Sequence, residues 1–312
     1  MSKQQNHTRR NFIKMGLLGT AGLGLNRVTL GSPSFAGAEN SAKRLPYKIG
    51  MRQASIPDPA RPGKNMVANF DTFRVARDLK DICGVELQVA SGKPNMRDMD
   101  VVRRYKAESN KWGLPVPSTA GVWTGAPWGP DAAAQLTSSI QATELLGATN
   151  MLVAFFGKSA PDMSDENAYG PVVEILQKAA PRAADAGIIL GLENSLSPAD
   201  NKKLVDLVGS PNVQVYYDLE NMYDFGHGAE AVPGIKLLGK ERLAAIHVKN
   251  KGKLISHNWR IDWAKAFEAL TEIQYEGWLT FETAQDSFAQ CVTETAENIR
   301  FLKKHFQPPA VS

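Results

Sequence analysis

The chain of 312 residues contains no run of about 18 apolar residues and has a mean hydropathy of −0.27, which excludes a multi-span membrane protein. Cysteine is nearly absent: Cys83 and Cys291 are the only two, so a disulfide-stapled scaffold is excluded. With 26 Gly and 18 Pro in a chain that is 43% hydrophobic and 22% charged, the composition is neither collagenous nor of the kind that stays disordered. Excess charge is also missing. The formal +4 arises in the first 38 residues, where Lys3, Arg9, Arg10, Lys14 and Arg27 meet no acid; beyond them 31 basic side chains stand against 32 acidic ones. A nearly neutral body without a basic stripe gives a phosphate backbone little to hold, so nucleic acid is not an expected partner. No G-x-S-x-G elbow and no Walker-type glycine loop with Lys occurs, which removes serine-hydrolase and P-loop chemistry. What remains is a globular composition, long enough for one large α/β domain or two small ones around a sizeable core.

The first forty residues read as an address. Thr8-Arg9-Arg10-Asn11-Phe12-Ile13-Lys14 resembles the twin-arginine export motif, and a mildly apolar, Gly-rich stretch from Met15 to Leu25 and an A-x-A site at Ala36-Gly37-Ala38 follow in the required order. Gly16, Gly19, Gly22 and Gly24 do not make a nucleotide loop, because no strand precedes them. The expectation is a twin-arginine signal peptide over 1–38 and periplasmic localisation after export of the folded protein. No Cys lies near the cleavage region, so no lipid anchor on a Cys is expected once the signal is removed.

From Tyr47 onward, short apolar β-branched runs alternate with helical patterns, the mark of a parallel α/β fold. The pattern predicts strands at Lys48–Arg52, Val85–Val89, Val116–Ala120, Met151–Phe155, Ile188–Glu193, Val213–Asp218, Ala244–Val248 and Trp278–Glu282. Helices are expected at Phe70–Ile82, Asp100–Trp112, Asp131–Leu146, Gly170–Ala186, Pro198–Val208, Ala231–Leu238, Trp263–Leu270 and Phe288–His305. Six or seven such units could form a doubly wound open sheet. Eight units, a closing strand and a final helix favour a (β/α)8 TIM barrel, with one catalytic domain over 45–308. In that barrel Cys83 enters a strand at the bottom and Cys291 lies near the top of a helix, so two free thiols are expected. Inserts at Ser55–Lys64, Trp123–Pro130, Gly157–Asn167 and Lys251–Arg260 follow strands one, three, four and seven and build the working face.

The chemistry concentrates in the second half. Strand five ends in Glu193-Asn194, strand six in Tyr217-Asp218, strand seven in Ile246-His247-Val248-Lys249 and strand eight in Phe281-Glu282-Thr283. Neighbouring parallel strands place their carboxyl ends on one side, so these four side chains can converge. Each alone could be an ordinary polar cap. Three carboxylates packed together repel one another and rise in pKa unless a cation sits between them, and a divalent metal resolves that conflict. One nitrogen and three oxygens suit Mn²⁺, Mg²⁺ or Co²⁺, among which affinity order alone does not choose; Mn²⁺ is the expected ion.

Glu193, Asp218, His247 and Glu282 resemble the Glu-Asp-His-Glu metal site of the sugar isomerase/epimerase superfamily with the xylose isomerase-like barrel, which includes ketose 3-epimerases and L-xylulose-5-phosphate 3-epimerase. Tyr217-Asp218-Leu219-Glu220-Asn221, Ile246-His247-Val248-Lys249, Arg260-Ile261-Asp262-Trp263 and Gly277-Trp278-Leu279-Thr280-Phe281-Glu282 are similar to that family's "Y-D-x-x-N", "I-H-x-K", "x-x-D-W" and last-strand stretches. The resemblance spans Tyr47 to His305 and implies a sugar substrate and a homo-oligomer, since family members are often dimers or tetramers. This chain departs in three places: Ala199 stands where ketose 3-epimerases carry a further Glu, Asn221 where they carry a His, and Ser256-His257-Asn258-Trp259-Arg260 where phosphate-handling members have a Gly-rich turn.

A metal between two glutamates suits proton abstraction next to a carbonyl through a metal-stabilised enediolate. The resemblance places Glu193 and Glu282 on opposite faces of the substrate as an acid/base pair, while Asp218 and His247 hold the metal. Trp123, Trp128 and Trp259 are candidates for stacking on a sugar ring or for plain packing. Lys249, Lys158 and Arg260 could receive a phosphate or carboxylate, or be salt-bridged loop cations. Asn221 and His257 are further candidates for substrate contact, His227 and His305 are read as surface groups, and Glu86 as a buried partner of a neighbouring barrel residue. Two other outcomes use the same site: elimination from a 3-keto-glycoside, or a periplasmic sugar-binding barrel that has lost its chemistry. The endonuclease branch fits poorly, because it needs many His ligands and only His227, His247, His257 and His305 lie beyond the signal.

Overall fold

The computed structural model describes residues 47–89, 98–123, 128, 131–250 and 254–310, the side chain of Trp123 excepted. The segment read as an export signal lies outside these residues, as do 124–127 and 251–253 in two of the expected loops. Eight parallel strands close in chain order: β1 (Ile49–Arg52), β2 (Gly84–Gln88), β3 (Ser118–Trp123), β4 (Asn150–Phe155), β5 (Ile189–Asn194), β6 (Val213–Asp218), β7 (Leu243–Asn250) and β8 (Trp278–Thr283). Pairing of Ile49 with Leu279 and Gly50 with Thr280 joins the last strand to the first, which rules out the open sheet. The connections carry α1 (Thr72–Ala76), α2 (Met99–Trp112), α3 (Ala132–Leu146), α4 (Glu166–Asp185), α5 (Pro198–Val208), α6 (Leu219–Asp224), α7 (Ala231–Leu238), α8 (Trp263–Glu272) and α9 (Phe288–His305).

Three helices differ from expectation for local reasons. α1 stops at Ala76 rather than Ile82. Asp78 and Leu79 donate to Val75 and Ala76 in tight turns, Asp81 turns back at φ 68°, and Cys83 N–H then pairs with Ile49 C=O at 2.7 Å to open β2. α4 starts at Glu166 instead of Gly170 because the Asp165 side chain caps it by accepting Asn167 N–H. α6 is a helix of six residues that the hydrophobic pattern does not reveal; the Asp218 side chain caps it, accepting Asn221 N–H at 3.0 Å.

Period-two alternation divides the barrel strands between two cores. Leu190, Leu192, Val213, Val215, Tyr217, Ile246, Val248, Leu279 and Phe281 belong to the large core shared with the helices. Ala120, Leu152, Ala154, Tyr216 and Ala245 form a small separate cluster, joined by Phe156 and Trp278. Tyr216 fits there because Gly191 carries no side chain: a Cβ on Gly191 would lie 3.1 Å from the Tyr216 ring. Cys83 is exposed and Cys291 buried, and both are free thiols. Among the described residues no helix is long and apolar enough to cross a membrane.

Candidate metal centre

The alternation that sends Tyr216 and Ala245 into the barrel sends the residues two further along, Asp218 and His247, to the same face at its carboxyl end. Asp218 pairs directly with His247 across β6 and β7, and Lys249 pairs with Glu282 across β7 and β8. Glu193 ends the matching column on β5. The result is that one ligand atom from each of Glu193, Asp218, His247 and Glu282 lies within 4.8 Å of the others. All four sequence-predicted ligands are brought together.

His247 is fully buried between carboxylates. Its Nε2 faces Glu86 Oε1 at 3.1 Å, while Nδ1 faces Glu193 Oε1 at 3.0 Å and Glu282 Oε2 at 3.2 Å. A carboxylate on Nε2 fixes the ring and directs Nδ1 at the cluster. Burial alone would lower the imidazole, but Glu86 and Glu193 raise it well above its ordinary 6.5. Glu86 also accepts from Ser118 Oγ at 2.5 Å and Tyr216 OH at 2.6 Å. Burial would raise its carboxyl, yet His247 and Arg52 hold it down to about 2.

Two cations press on the cluster. Arg52, which ends β1, reaches Glu282 Oε1 at 2.5 Å. Lys249 Nζ stands 3.4 Å from the same oxygen and 3.3 Å from Asp218 Oδ2, and donates to Asn221 Oδ1 at 3.2 Å. Burial would raise Glu282, but Arg52, His247 and Lys249 outweigh it and lower the carboxyl. Asp218 goes the other way: burial, aided by Glu193 and Glu282, pushes it up to about 7 despite Lys249. The Asn221 amide donates to Glu193 Oε1 at 3.0 Å, so this side chain links Glu193 to Lys249.

The donor set passes a simple test for a cation. Glu193 Oε2, Asp218 Oδ2 and Glu282 Oε2 are buried without a hydrogen bond, one oxygen from each carboxylate; Lys249 Nζ lies 3.3 Å from the second and His247 Nδ1 3.2 Å from the third. Buried acceptors left so are costly unless a cation gathers them. Three oxygens and an imidazole nitrogen fit a divalent ion of the Mn²⁺ or Mg²⁺ kind.

The other candidates divide. Lys249 and Asn221 are in the cluster, though both are engaged with its carboxylates. Arg260 pairs instead with Asp224 Oδ1 at 2.8 Å and Glu220 Oε2 at 3.4 Å. His257 and Lys158 are exposed. Trp128 is packed: its Nε1 donates to Ser159 C=O and its ring meets Phe155 edge-on. Trp123 closes β3, its side chain outside the described residues, and Trp259 is 78% exposed. Glu86 has the buried partners expected of it. Arg52 was missed, although the same signal was present: like strands five to eight, β1 ends in a charged residue just before a loop.

Comparison with known proteins gives the fold a context. The family described as a xylose isomerase-like TIM barrel matches residues 73–305. No curated protein matches the sequence. Among solved structures, D-allulose 3-epimerase from Methylomonas sp. superposes with a TM-score of 0.64 at 18% identity, covering 85% of this chain and 99% of the other. D-psicose 3-epimerase from Clostridium cellulolyticum H10, solved with D-tagatose, gives 0.65 at 17% identity over 83% and 99%. The 3-keto-D-glucoside 4-epimerase YcjR from E. coli gives 0.62 at 16% identity, also over 83% and 99%. At such identities the likeness is one of fold.

Proposed function

The chain belongs to the xylose isomerase-like TIM barrel family, and on that footing we propose that it is a divalent-metal-dependent sugar epimerase or isomerase that moves a proton at a carbon next to a carbonyl. The observation that carries this reading is the convergence of three buried, unbonded carboxylate oxygens and His247 Nδ1 at the carboxyl end of the barrel. Glu193, Asp218, His247 and Glu282 would hold the ion, with Mn²⁺ the first choice. When bound there, such an ion supplies Lewis acidity toward a substrate carbonyl.

The protein's own groups do the rest. Glu193 takes the substrate proton, while the Asn221 amide on Oε1 keeps the carboxylate oriented. Glu282 is the second acid/base group and faces the substrate from the other side. Arg52 and Lys249 hold its Oε1 and so orient the carboxylate. Support also comes from the likeness to two ketose 3-epimerases and a keto-glucoside epimerase.

The test is exchange of a substrate C–H proton with deuterium from solvent, followed by NMR on metal-loaded protein across a panel of ketoses and keto-glycosides. Exchange is expected, and Glu193→Gln and Glu282→Gln should each reduce it by about 10²–10⁴. A metal-loaded protein inert toward the whole panel would instead be a sugar-binding barrel. A second reading, elimination from a 3-keto-glycoside, is favoured by Ala199 and Asn221 standing where ketose 3-epimerases have Glu and His. Its products, a released aglycone and an enone sugar, differ from an epimer in the same spectra.

A further inference from the structure

Two large aromatic side chains, Phe225 and Trp259, stand open to solvent on the connections that follow β6 and β7. Phe156, which follows β4 and packs on the inner barrel cluster, stacks on Phe225 with centroids 5.6 Å apart and planes 13° from parallel. Phe225 caps α6 and is 40% exposed. Beyond it Tyr223 meets Trp259 edge-on at 5.7 Å, and Trp259 is the most exposed large hydrophobic residue described, at 78%.

This exposure is built rather than frayed. The Asn258 amide donates to Glu220 Oε1 at 2.5 Å, and Asn258 Oδ1 accepts from Arg260 and Ile261 N–H. The Arg260 guanidinium lies 4.8 Å from the Tyr223 ring and 5.2 Å from the Trp259 ring while paired with Asp224 and Glu220. Glu220 sits between Asp218 and Asn221, so the loop presenting Trp259 is anchored on the element that carries one metal ligand and the amide on another.

We propose that Phe225 and Trp259 form a second sugar subsite, so that the substrate is a keto-sugar bearing a further sugar ring. This deepens the reading above and rests on it for the ring that sits at the metal. Phe225 lies four positions after Asn221, about 6 Å along a helix, which is one sugar ring's reach. The apolar C–H face of a pyranose packs on an aromatic face, whereas a phosphate needs a spare cation. Among the described residues, the cations that touch the cluster or Glu220, namely Arg52, Lys249 and Arg260, are each committed to carboxylates. That pattern favours an uncharged second ring over a sugar phosphate.

The probes are D-fructose and two glucosyl-fructoses, maltulose and isomaltulose, titrated into metal-loaded protein with ligand-observed NMR, and in parallel assayed for deuterium exchange. At least one disaccharide should bind more tightly than fructose. Trp259→Ala should weaken that disaccharide about five- to tenfold, the scale of one lost aromatic contact, and leave fructose within twofold; Trp259→Phe should restore most of the affinity. Phe225→Ala repeats the test from α6. Disaccharides binding no better than fructose, or binding unchanged by Trp259→Ala and Phe225→Ala, would overturn the subsite. Trp259-dependent disaccharide binding without proton exchange on any probe would uphold the subsite and defeat the proton-transfer reading instead.

Discussion

A carboxylate with no exposure to water persists only where its oxygens are answered, and Glu86 on β2 is answered from four sides: His247, Arg52, Ser118 and Tyr216. Tyr216 must donate, since burial and then Glu86 itself raise the phenol well above its ordinary pKa. The consequence reaches the candidate metal centre through one bond, because the carboxylate on His247 Nε2 decides which ring nitrogen faces Glu193 and Glu282. Replacing it with an amide keeps the shape and removes the charge. Glu86→Gln is expected to cost about 3–5 kcal/mol, the usual penalty for breaking a buried ion pair. At about 2–4 °C per kcal/mol for a domain of this class, thermal denaturation should show a fall of about 10 °C. Metal affinity should fall about 10–100-fold, as for other outer partners of metal-bound His. A variant that melts within a degree or two of the parent would show that Arg52, Ser118 and Tyr216 do not depend on the charge.

At the scale of elements, the contact between α7 and its neighbours sets two glycine effects against each other. Gly234 lies inside α7, where Gly→Ala usually gains about 1 kcal/mol of helix propensity. Here a Cβ would sit 2.7 Å and 2.8 Å from the Pro198 ring at the start of α5 and collide with the Tyr217 hydroxyl, which donates to Ala231 C=O. Overpacking costs about 1–3 kcal/mol, so Gly234→Ala should destabilise the fold, with a lower urea midpoint as the readout. The elements themselves were largely legible, because inward and outward residues of a parallel barrel alternate and their helices carry long apolar faces. Glu193, Asp218, His247 and Glu282 could be read as a site for the same reason: the register follows from strand ends. α6 escaped because six residues cannot show a helical period, and with it went the fact that Asp218 caps a helix as well as facing the cluster. The pairing of Arg260 with Asp224 and Glu220 depends on which loops meet across the mouth, and no local pattern encodes that.

For the whole molecule, the closed barrel commits four carboxylates, Glu86, Glu193, Asp218 and Glu282, to one buried region with Arg52, Lys249 and His247 as the cations. Four negative charges against two permanent positive ones leave a deficit that one divalent ion would cancel. Metal loading should therefore act on global stability and depend on pH in a definite direction. In the metal-free protein Asp218, at about 7 instead of its ordinary 3.8, and His247, raised above 6.5, hold protons that the unfolded chain has lost. Stability from Asp218 is thus greatest at low pH and declines as pH rises toward about 7, and that from His247 declines from 6.5 upward. Glu86 and Glu282, both lowered, have the opposite slope, but only below their ordinary 4.5, so they do not cancel the decline near neutrality. A metal must displace the protons on Asp218 and His247 Nδ1, so its affinity should rise with pH over the same interval. Calorimetric melting with and without Mn²⁺ at about pH 6 and about pH 8 should show a larger metal-induced rise in Tm at the higher value; an ion at about 100 times its Kd stabilises by on the order of 2.7 kcal/mol, which is about 5–11 °C at about 2–4 °C per kcal/mol. Titration calorimetry in two buffers of different ionisation enthalpy should report net proton release. A metal effect that shrinks from pH 6 to pH 8, or no proton release near neutrality, would mean that the ion is not bound by Asp218 and His247.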